Sequence, residues 1–272
     1  MTRLAAIQMS SQDHIDTNLL HAHSQLITAA QQGSSLAVLP ENFACFAAGQ
    51  QRHTAERFDD IRQQLQQWAQ QLQLWIVAGS IPCPYRPNGQ RVPHHKVRST
   101  SLLIDPSGQI ATRYDKIHLF DAEVADGTGR YCESATFEAG EQVITAATPW
   151  GHLGLMICYD LRFPELAIAL RQQGAEILCA PSAFTHTTGQ LHWQLLLRAR
   201  ALDSQCMVIG AGQEGQHGSR HTWGHSSMSN YRGEIIAEQH TGGSGVLTAC
   251  YDRNALASWR QAMPLMDHRR LL

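Results

Sequence analysis

Runs of apolar residues with little polar alternation recur along this chain, and polar or turn residues bound most of them. Such runs are typical of short strands that are covered on both faces of a sheet. The predicted strands are Leu4–Met9, Leu36–Leu39, Leu74–Ile81, Thr100–Ile104, Ile110–Tyr114, Leu153–Cys158, Ile177–Ala180, Cys206–Ala211, Ser226–Ser229, Glu234–Ala237 and Gly245–Cys250.

Between these runs the apolar residues recur every three or four positions, which is the spacing of amphipathic helices. The predicted helices are His14–Gln31, Ala55–Gln73, Pro164–Gln173, Leu191–Leu202 and Arg253–Gln261. Two other stretches, Pro82–Lys96 and Leu119–Gly140, are predicted to be long loops, which in a compact domain are usually functional or mobile. The order of elements predicts an α/β fold of two mixed sheets with helices packed outside.

Length and composition narrow the class of protein. The 272 residues fit a single domain spanning residues 1–272, and only 16% of them are charged. The N-terminus lacks the pattern of a signal peptide, and no apolar run reaches the length of a membrane span. We therefore expect a soluble, cytoplasmic protein without membrane association. A net charge of -2 argues against nucleic-acid binding.

The metal-ligating residue types show no spacing that favours a metal. Seven cysteines without a CxxC pair argue against a disulfide framework and against a cysteine zinc site. The series His217, His221 and His225 would align on a helix, but Gly218 and Gly224 argue against one there. We therefore predict structural or solvated histidines, and neither a metal nor another cofactor.

Reactive side chains stand at or just after the ends of predicted strands. Glu41 follows the second strand, Lys116 follows the fifth, and Cys158 ends the sixth, shortly before a predicted helix. A helix N-terminus and a nearby cation would favour the thiolate of Cys158. Taken singly, Glu41 and Lys116 would more often be solvated surface residues, and Glu133 would be an ordinary loop residue.

Three motifs in a fixed order change that interpretation. They are LPEN with Glu41, YDKIHLF with Lys116 and ICYDLRFPE with Cys158, and CESATFEAG with Glu133 lies between the last two. In these motifs the chain resembles the nitrilase superfamily of carbon–nitrogen hydrolases, and the likeness covers nearly its whole length. The stretches GAEILCAPSAFTHTTGQLHW and LLRARALDSQC are similar to the Nit branch of that superfamily.

The resemblance implies a nitrilase-like fold, which is a four-layer αββα sandwich, and a catalytic set of Glu41, Lys116 and Cys158 assisted by Glu133. It implies hydrolysis of a small carboxamide to carboxylate and ammonia through a Cys158 thioester. The oxyanion would be stabilised by Lys116 and by the backbone N–H of Tyr159. Within the Nit branch the sequence most resembles enzymes that act on deaminated glutathione.

The sequence identifies the substrate-binding residues and the substrate less sharply than it identifies the catalytic set. Phe184, Thr185 and Arg162 are candidates for the substrate pocket, although Arg162 could instead pair with Asp160 or Glu165 to hold its turn. The alternative substrates are 2-oxoglutaramate, for an ω-amidase, or those of a carbamoylase or nitrilase. A non-catalytic binding protein of the same fold would be expected to lack part of the catalytic set, which is complete here. The resemblance also implies a homodimer or a larger homo-oligomer.

Overall fold

Two mixed β-sheets form the centre of the computed structural model, which describes residues 1–126, 129–240 and 242–271. Within those ranges the strands are β1 (Thr2–Gln8), β2 (Leu36–Val38), β3 (Trp75–Val77), β4 (Ile81–Cys83), β5 (Arg98–Ile104), β6 (Ile110–Asp115), β7 (Asp121–Val124), β8 (Gly129–Cys132), β9 (Thr145–Thr148), β10 (Gly151–Leu155), β11 (Ile177–Ser182), β12 (Met207–Gly212), β13 (Glu214–His217), β14 (Arg220–Trp223), β15 (Ser227–Ser229), β16 (Ile235–Glu238) and β17 (Gly245–Tyr251). The helices are α1 (Ile15–Gln31), α2 (Gln51–Glu56), α3 (Phe58–Leu72), α4 (Pro164–Gln172), α5 (His186–Ser204), α6 (Arg253–Ala262) and α7 (Leu265–His268).

The two sheets have related designs. The first has the order β17–β1–β2–β3–β5–β4, with β6 paired to β5, and β1, β2 and β3 are parallel. The second has the order β16–β15–β12–β11–β10–β9, and β10, β11 and β12 are parallel. Antiparallel strands complete both sheets, so each is mixed, as the sequence predicts.

Side-chain alternation along the strands explains the layers. In β1, Leu4 and Ala6 pack with residues of the second sheet, such as Leu155, whereas Ala5 and Ile7 pack with α1 and α3. The outer face of the second sheet packs against α4 and α5. Both faces of each central strand are therefore buried, which explains the uninterrupted apolar runs in the sequence. The result is the αββα sandwich that the resemblance implies.

Several segments differ from the sequence predictions, among them two hairpins and a divided strand. The predicted strand Leu74–Ile81 is two short strands, because the chain turns at Gly79, whose φ is 46°. The predicted loop Leu119–Gly140 contains the hairpin of β7 and β8, although its residues 127 and 128 lie outside the described ranges. A second hairpin, β13 and β14, occupies 214–223, where no strand was predicted. Both hairpins have polar sequences, so apolar periodicity does not predict them.

Helix α5 is longer than its predicted core and presents an apolar stripe outward. Leu191, Leu195 and Leu202 are 67%, 64% and 46% exposed, while Trp193 and Leu197 on the opposite face are buried. No helix of the described residues is long and apolar enough to cross a membrane.

Candidate active site

A buried ammonium group stands between two carboxylates at the wall of a cavity. Lys116 Nζ lies 2.9 Å from Glu41 Oε1, and 3.0 Å and 2.9 Å from Glu133 Oε1 and Oε2. Glu41 and Glu133 are 75 and 17 positions from Lys116 in the chain, so their approach depends on the tertiary fold. Cys158 lines the same cavity as all three. The structure thus brings the four predicted catalytic side chains together.

Glu41 is fixed by a close approach of two backbone segments after β2. A Cβ atom on Gly79 would lie 2.0 Å from the carbonyl oxygen of Pro40, so only glycine fits beside this turn. The Gln213 side chain donates to the Glu41 carbonyl at 3.0 Å, which holds the backbone from the other side. The carboxylate therefore projects from a rigid strand end.

Lys116 and Glu133 are placed by the end of β6 and by the hairpin that follows it. The Lys116 N–H donates to the Ser99 carbonyl at 2.9 Å, which continues the pairing of β5 and β6. Glu133 begins a short 3₁₀ helix after β8, and one of its carboxylate oxygens accepts the Phe120 N–H at 2.6 Å. This contact connects the two ends of the hairpin and directs the Glu133 carboxylate to Lys116.

Cys158 occupies a strained turn. Strand β10 ends at Leu155, before the predicted end, and Cys158 opens a 3₁₀ helix with a φ of 47°. A left-handed conformation costs a non-glycine residue roughly 1–2 kcal/mol. Such strain persists only where the surrounding structure imposes it, and here it leaves Cys158 half-buried at the cavity.

The carboxylate that organises this turn is Asp160, which is fully buried. Its oxygens accept the Ile157 N–H at 2.8 Å, the His118 N–H at 3.0 Å and the Tyr114 hydroxyl at 2.7 Å. Asp160 therefore joins the turn that carries Cys158 to the segment that carries Lys116.

The ionisation of Cys158 is set by burial and by its neighbours. Burial raises the pKa of the thiol well above its ordinary value, and the Glu41 carboxylate adds to this, against the opposing effects of Lys116 and the Ala183 backbone. Burial and Glu41 therefore outweigh the influences that favour the thiolate. A raised pKa favours the thiol form, and it arises because the site is buried and two carboxylates surround Lys116. The thiol therefore needs a base to become a nucleophile.

The charges around Lys116 form a coupled set. Burial disfavours its ammonium form, but Glu133 and Glu41 outweigh this effect and raise the pKa of Lys116 well above its usual range. Burial raises the pKa of Glu133 and Glu41 adds to the rise, although Lys116 opposes it. One cation is thus shared by two carboxylates that repel each other.

The remaining predicted residues lie around Cys158. Tyr159 is the second residue of the 3₁₀ helix, where a backbone N–H has no acceptor within the helix. Thr185 lines the cavity, which has a volume of about 230 Å³, and caps α5. Phe184 and Arg162 line a recess of about 20 Å³ that also reaches Cys158.

Arg162 does not have the structural role that the sequence left open. Among the described residues it forms no ion pair with Asp160, Glu165 or any other carboxylate. Its guanidinium instead lies 3.3 Å from His192 Nδ1 and over the ring of Phe184. Its charge is therefore free to meet a ligand in the recess.

Sequence reasoning missed the part of the cavity formed by the β13–β14 hairpin. Arg220, His221 and Thr222 line the cavity from this hairpin. No local motif distinguishes these residues, and they reach the cavity because an isolated bridge pairs Thr222 with Thr185.

The histidine series occupies separate environments. His217 is buried, and His221 stacks on a neighbouring histidine ring. The donor atoms of His225, Glu238 and His240 lie within 4.8 Å of one another, a group that could hold a metal ion. None of these three is among the described residues that line the cavity of Cys158. The absence of a metal requirement stays a prediction.

Known proteins share both the sequence pattern and the fold of this chain. Residues 3–261 match the sequence model of the carbon-nitrogen hydrolase family. The chain is 40% identical to the deaminated glutathione amidase of Yersinia enterocolitica, over 99% of this chain and 93% of that protein.

Solved structures of amidases and other nitrilase-superfamily members share the fold of this chain. The chain superposes on Saccharomyces cerevisiae Nit3, a member of branch 10 of the nitrilase superfamily, with a TM-score of 0.85 and 32% identity, covering 99% of this chain and 97% of that one. An amidase variant from Nesterenkonia sp. AN1 superposes with a TM-score of 0.81 and 25% identity, covering 100% and 97%. That structure carries the acetamide moiety of fluoroacetamide covalently added at its active-site cysteine.

Proposed function

Because the chain belongs to the carbon–nitrogen hydrolase family, we propose that it is an amidase that hydrolyses deaminated glutathione through a thioester on Cys158. The observation that carries this proposal is the convergence of Glu41, Lys116 and Glu133 at the cavity of Cys158. Relatives at 36–40% identity that bear this activity in their names support the choice of substrate.

In the first step Glu41 takes the proton of the Cys158 thiol, whose raised pKa makes a base necessary. The sulfur attacks the amide carbonyl carbon, and the carbonyl oxygen becomes an oxyanion. Lys116 and the backbone N–H of Tyr159 stabilise that charge, and removing one such donor typically costs about 3–4 kcal/mol of barrier.

The tetrahedral intermediate then collapses. Protonated Glu41 gives its proton to the amide nitrogen, the C–N bond breaks, and the amine leaves. In the second half Glu41 takes a proton from water, the hydroxide adds to the thioester carbon, and the C–S bond breaks. Glu41 finally returns the proton to the Cys158 sulfur, which restores the resting thiol.

Glu133 acts in this scheme as a positioning residue. Both of its oxygens contact Lys116 Nζ, and one of them also accepts the Phe120 N–H. It holds the ammonium group where the oxyanion forms, and its charge raises the pKa of Lys116, which favours the ammonium form.

The identity of the leaving group follows from the substrate. In deaminated glutathione the scissile amide joins a 2-oxo diacid to cysteinylglycine, so the leaving group is the amine of a dipeptide. Ammonia would leave only from a primary amide such as 2-oxoglutaramate, the alternative substrate. The acyl half carries a carboxylate, and the recess beside Cys158 suits it because Arg162, Thr188 and Phe184 line it.

The test measures the products from both substrates with the purified protein. We expect release of cysteinylglycine and 2-oxoglutarate, together with an acylated protein detectable by intact mass. Cys158→Ala should lower the rate by about 10⁴-fold or more, since the nucleophile is lost. Cys250→Ala removes an exposed thiol elsewhere and serves as the control. Rapid turnover of 2-oxoglutaramate, with deaminated glutathione ignored, would replace the proposal by an ω-amidase.

We also propose a homodimer and a cytoplasmic location. The outward stripe of Leu191, Leu195 and Leu202 on α5 supports the dimer, because an exposed apolar stripe favours burial against a partner. Light scattering that gave the mass of one chain at micromolar concentration would contradict it.

A further inference from the structure

The cavity has two lobes, and Cys158 lines both. The smaller recess holds Arg162, and the larger lobe, of about 230 Å³, holds Arg220. Among the described lining residues, neither arginine borders the other lobe. Each of the two recesses beside Cys158 therefore has its own guanidinium group, and the smaller one has room only for a group of about the size of a carboxylate.

Arg220 has no fixed anionic partner in the described part of the chain. Its guanidinium carbon lies 5.5 Å from the centre of the Tyr131 ring, and no described carboxylate lies within ion-pair distance of it. Lys116, the other cation of this lobe, is instead bound by two carboxylates. A half-buried arginine in this situation keeps its donors available for a ligand anion.

The backbone beneath Arg220 is firmly anchored. Arg220 pairs with His217 across the two-residue turn of the β13–β14 hairpin, where Gly218 has a φ of 62°. His217 is in turn buried and contacts the Ser11 carbonyl at 2.6 Å and the Thr222 hydroxyl at 2.7 Å. The hairpin therefore carries the guanidinium group on a rigid support.

On the basis of the function proposed above, we propose that Arg220 binds the terminal carboxylate of the leaving dipeptide, which makes the larger lobe a leaving-group subsite. The substrate has a carboxylate on each side of its scissile amide. With the acyl carboxylate at Arg162, the amine half extends into the larger lobe, and its two residues span about 7 Å when extended. Arginine matches a carboxylate with two parallel N–H donors.

The test is kinetic and uses three substrates: deaminated glutathione, its C-terminal carboxamide and 2-oxoglutaramate. For the intact enzyme, conversion of the terminal carboxylate to the carboxamide should lower kcat/KM about 10- to 100-fold. Arg220→Gln should lower kcat/KM for deaminated glutathione by a similar factor, mainly through KM. It should leave the other two substrates within about threefold, because neither carries the terminal carboxylate.

Two further variants sharpen the test. Arg91→Gln removes another arginine that lies over a tyrosine ring, at 5.6 Å from the centre of Tyr85 and outside the cavity, and it should change none of the three rates. Arg220→Lys should recover part of the loss, since it restores the positive charge.

Equal losses on all three substrates, or an Arg220→Gln enzyme that still distinguishes carboxylate from carboxamide, would overturn this assignment while leaving the proposed function intact. An intact enzyme that ignores deaminated glutathione would overturn both.

Discussion

Glu133 and Glu138 lie five residues apart and both contact basic side chains, yet their pKa values shift in opposite directions. Burial raises the pKa of Glu133, with a further contribution from Glu41, even though Lys116 opposes the shift. Hydrogen bonds from Arg86, and after them contacts with a second arginine, lower the pKa of Glu138 to about 2 against the effect of burial. Contact with a basic side chain is therefore accompanied by a raised pKa at Glu133 and by a lowered pKa at Glu138.

The difference is one of environment and charge balance. The side chains of Glu133 and Glu138 have similar exposed fractions, 15% and 22%, so accessible surface alone does not separate them. Glu133 shares a single cation with Glu41 at the cavity of Cys158, whereas Glu138 meets Arg86 and Arg98 in a charged cleft. Two carboxylates that share one cation are suited to proton transfer, because one of them has a raised pKa. A carboxylate between two cations stays ionised and contributes to stability.

The largest contrast is expected from removing the central cation of each cluster. Lys116→Met should lower kcat/KM about 10³-fold or more, because the oxyanion loses a donor and two carboxylates face each other without a cation. Arg98→Met should leave the activity within about threefold and lower the free energy of unfolding by about 2–3 kcal/mol, because a buried ion pair is broken. Steady-state kinetics and urea unfolding measure the two effects. Comparable loss of activity in a folded Arg98→Met would show that the clusters are not separate in function.

A smaller contrast is expected from neutralising each glutamate with its isostere. Glu133→Gln keeps an acceptor for the Phe120 N–H but loosens Lys116, so kcat/KM should fall about 10- to 100-fold. Its stability should change by less than about 1 kcal/mol, since burial already disfavours the charge of Glu133. Glu138→Gln should show the reverse, with activity within about threefold and a stability loss of about 1–3 kcal/mol. The same assays apply, and an inactive Glu138→Gln with normal unfolding would refute the division of roles.

The residues that sequence could identify are those with a local signal. Glu41, Lys116 and Cys158 stand at or near strand ends within motifs of several residues, and the uninterrupted apolar runs predict the doubly covered strands. The contacts between them join residues as far as 75 positions apart, so no local pattern reveals these contacts. Only the family resemblance implied that the three side chains meet at one cavity.

The features that sequence could not identify depend on tertiary contacts. The role of Asp160 arises because Tyr114 and His118 reach it from another strand end. Arg220 enters the cavity on a hairpin whose polar residues give no strand signal. The raised pKa of the Cys158 thiol also has no local sequence signal, because it depends on burial and on the carboxylate of Glu41, which lies far away in the chain.

The smallest effect expected is a difference in how acid affects the two glutamate variants. The folded-state pKa of Glu138 lies below its ordinary value of 4.5, so the stabilisation from its charge is present above about pH 4.5 and is lost as the pH falls toward 2. The intact protein should therefore lose about 1–3 kcal/mol over this range that Glu138→Gln does not lose, and their unfolding free energies should converge in acid. For Glu133 the pH dependence of stability has the opposite sign, because its folded-state pKa is raised. The stabilisation from its protonated form is fully present below the ordinary pKa of a glutamate and is lost as the pH rises through the folded-state pKa. Relative to Glu133→Gln, the intact protein should thus gain stability in acid. Urea unfolding of all three proteins between about pH 3 and 7 measures both slopes, and slopes of the same sign would remove the physical distinction between the two clusters.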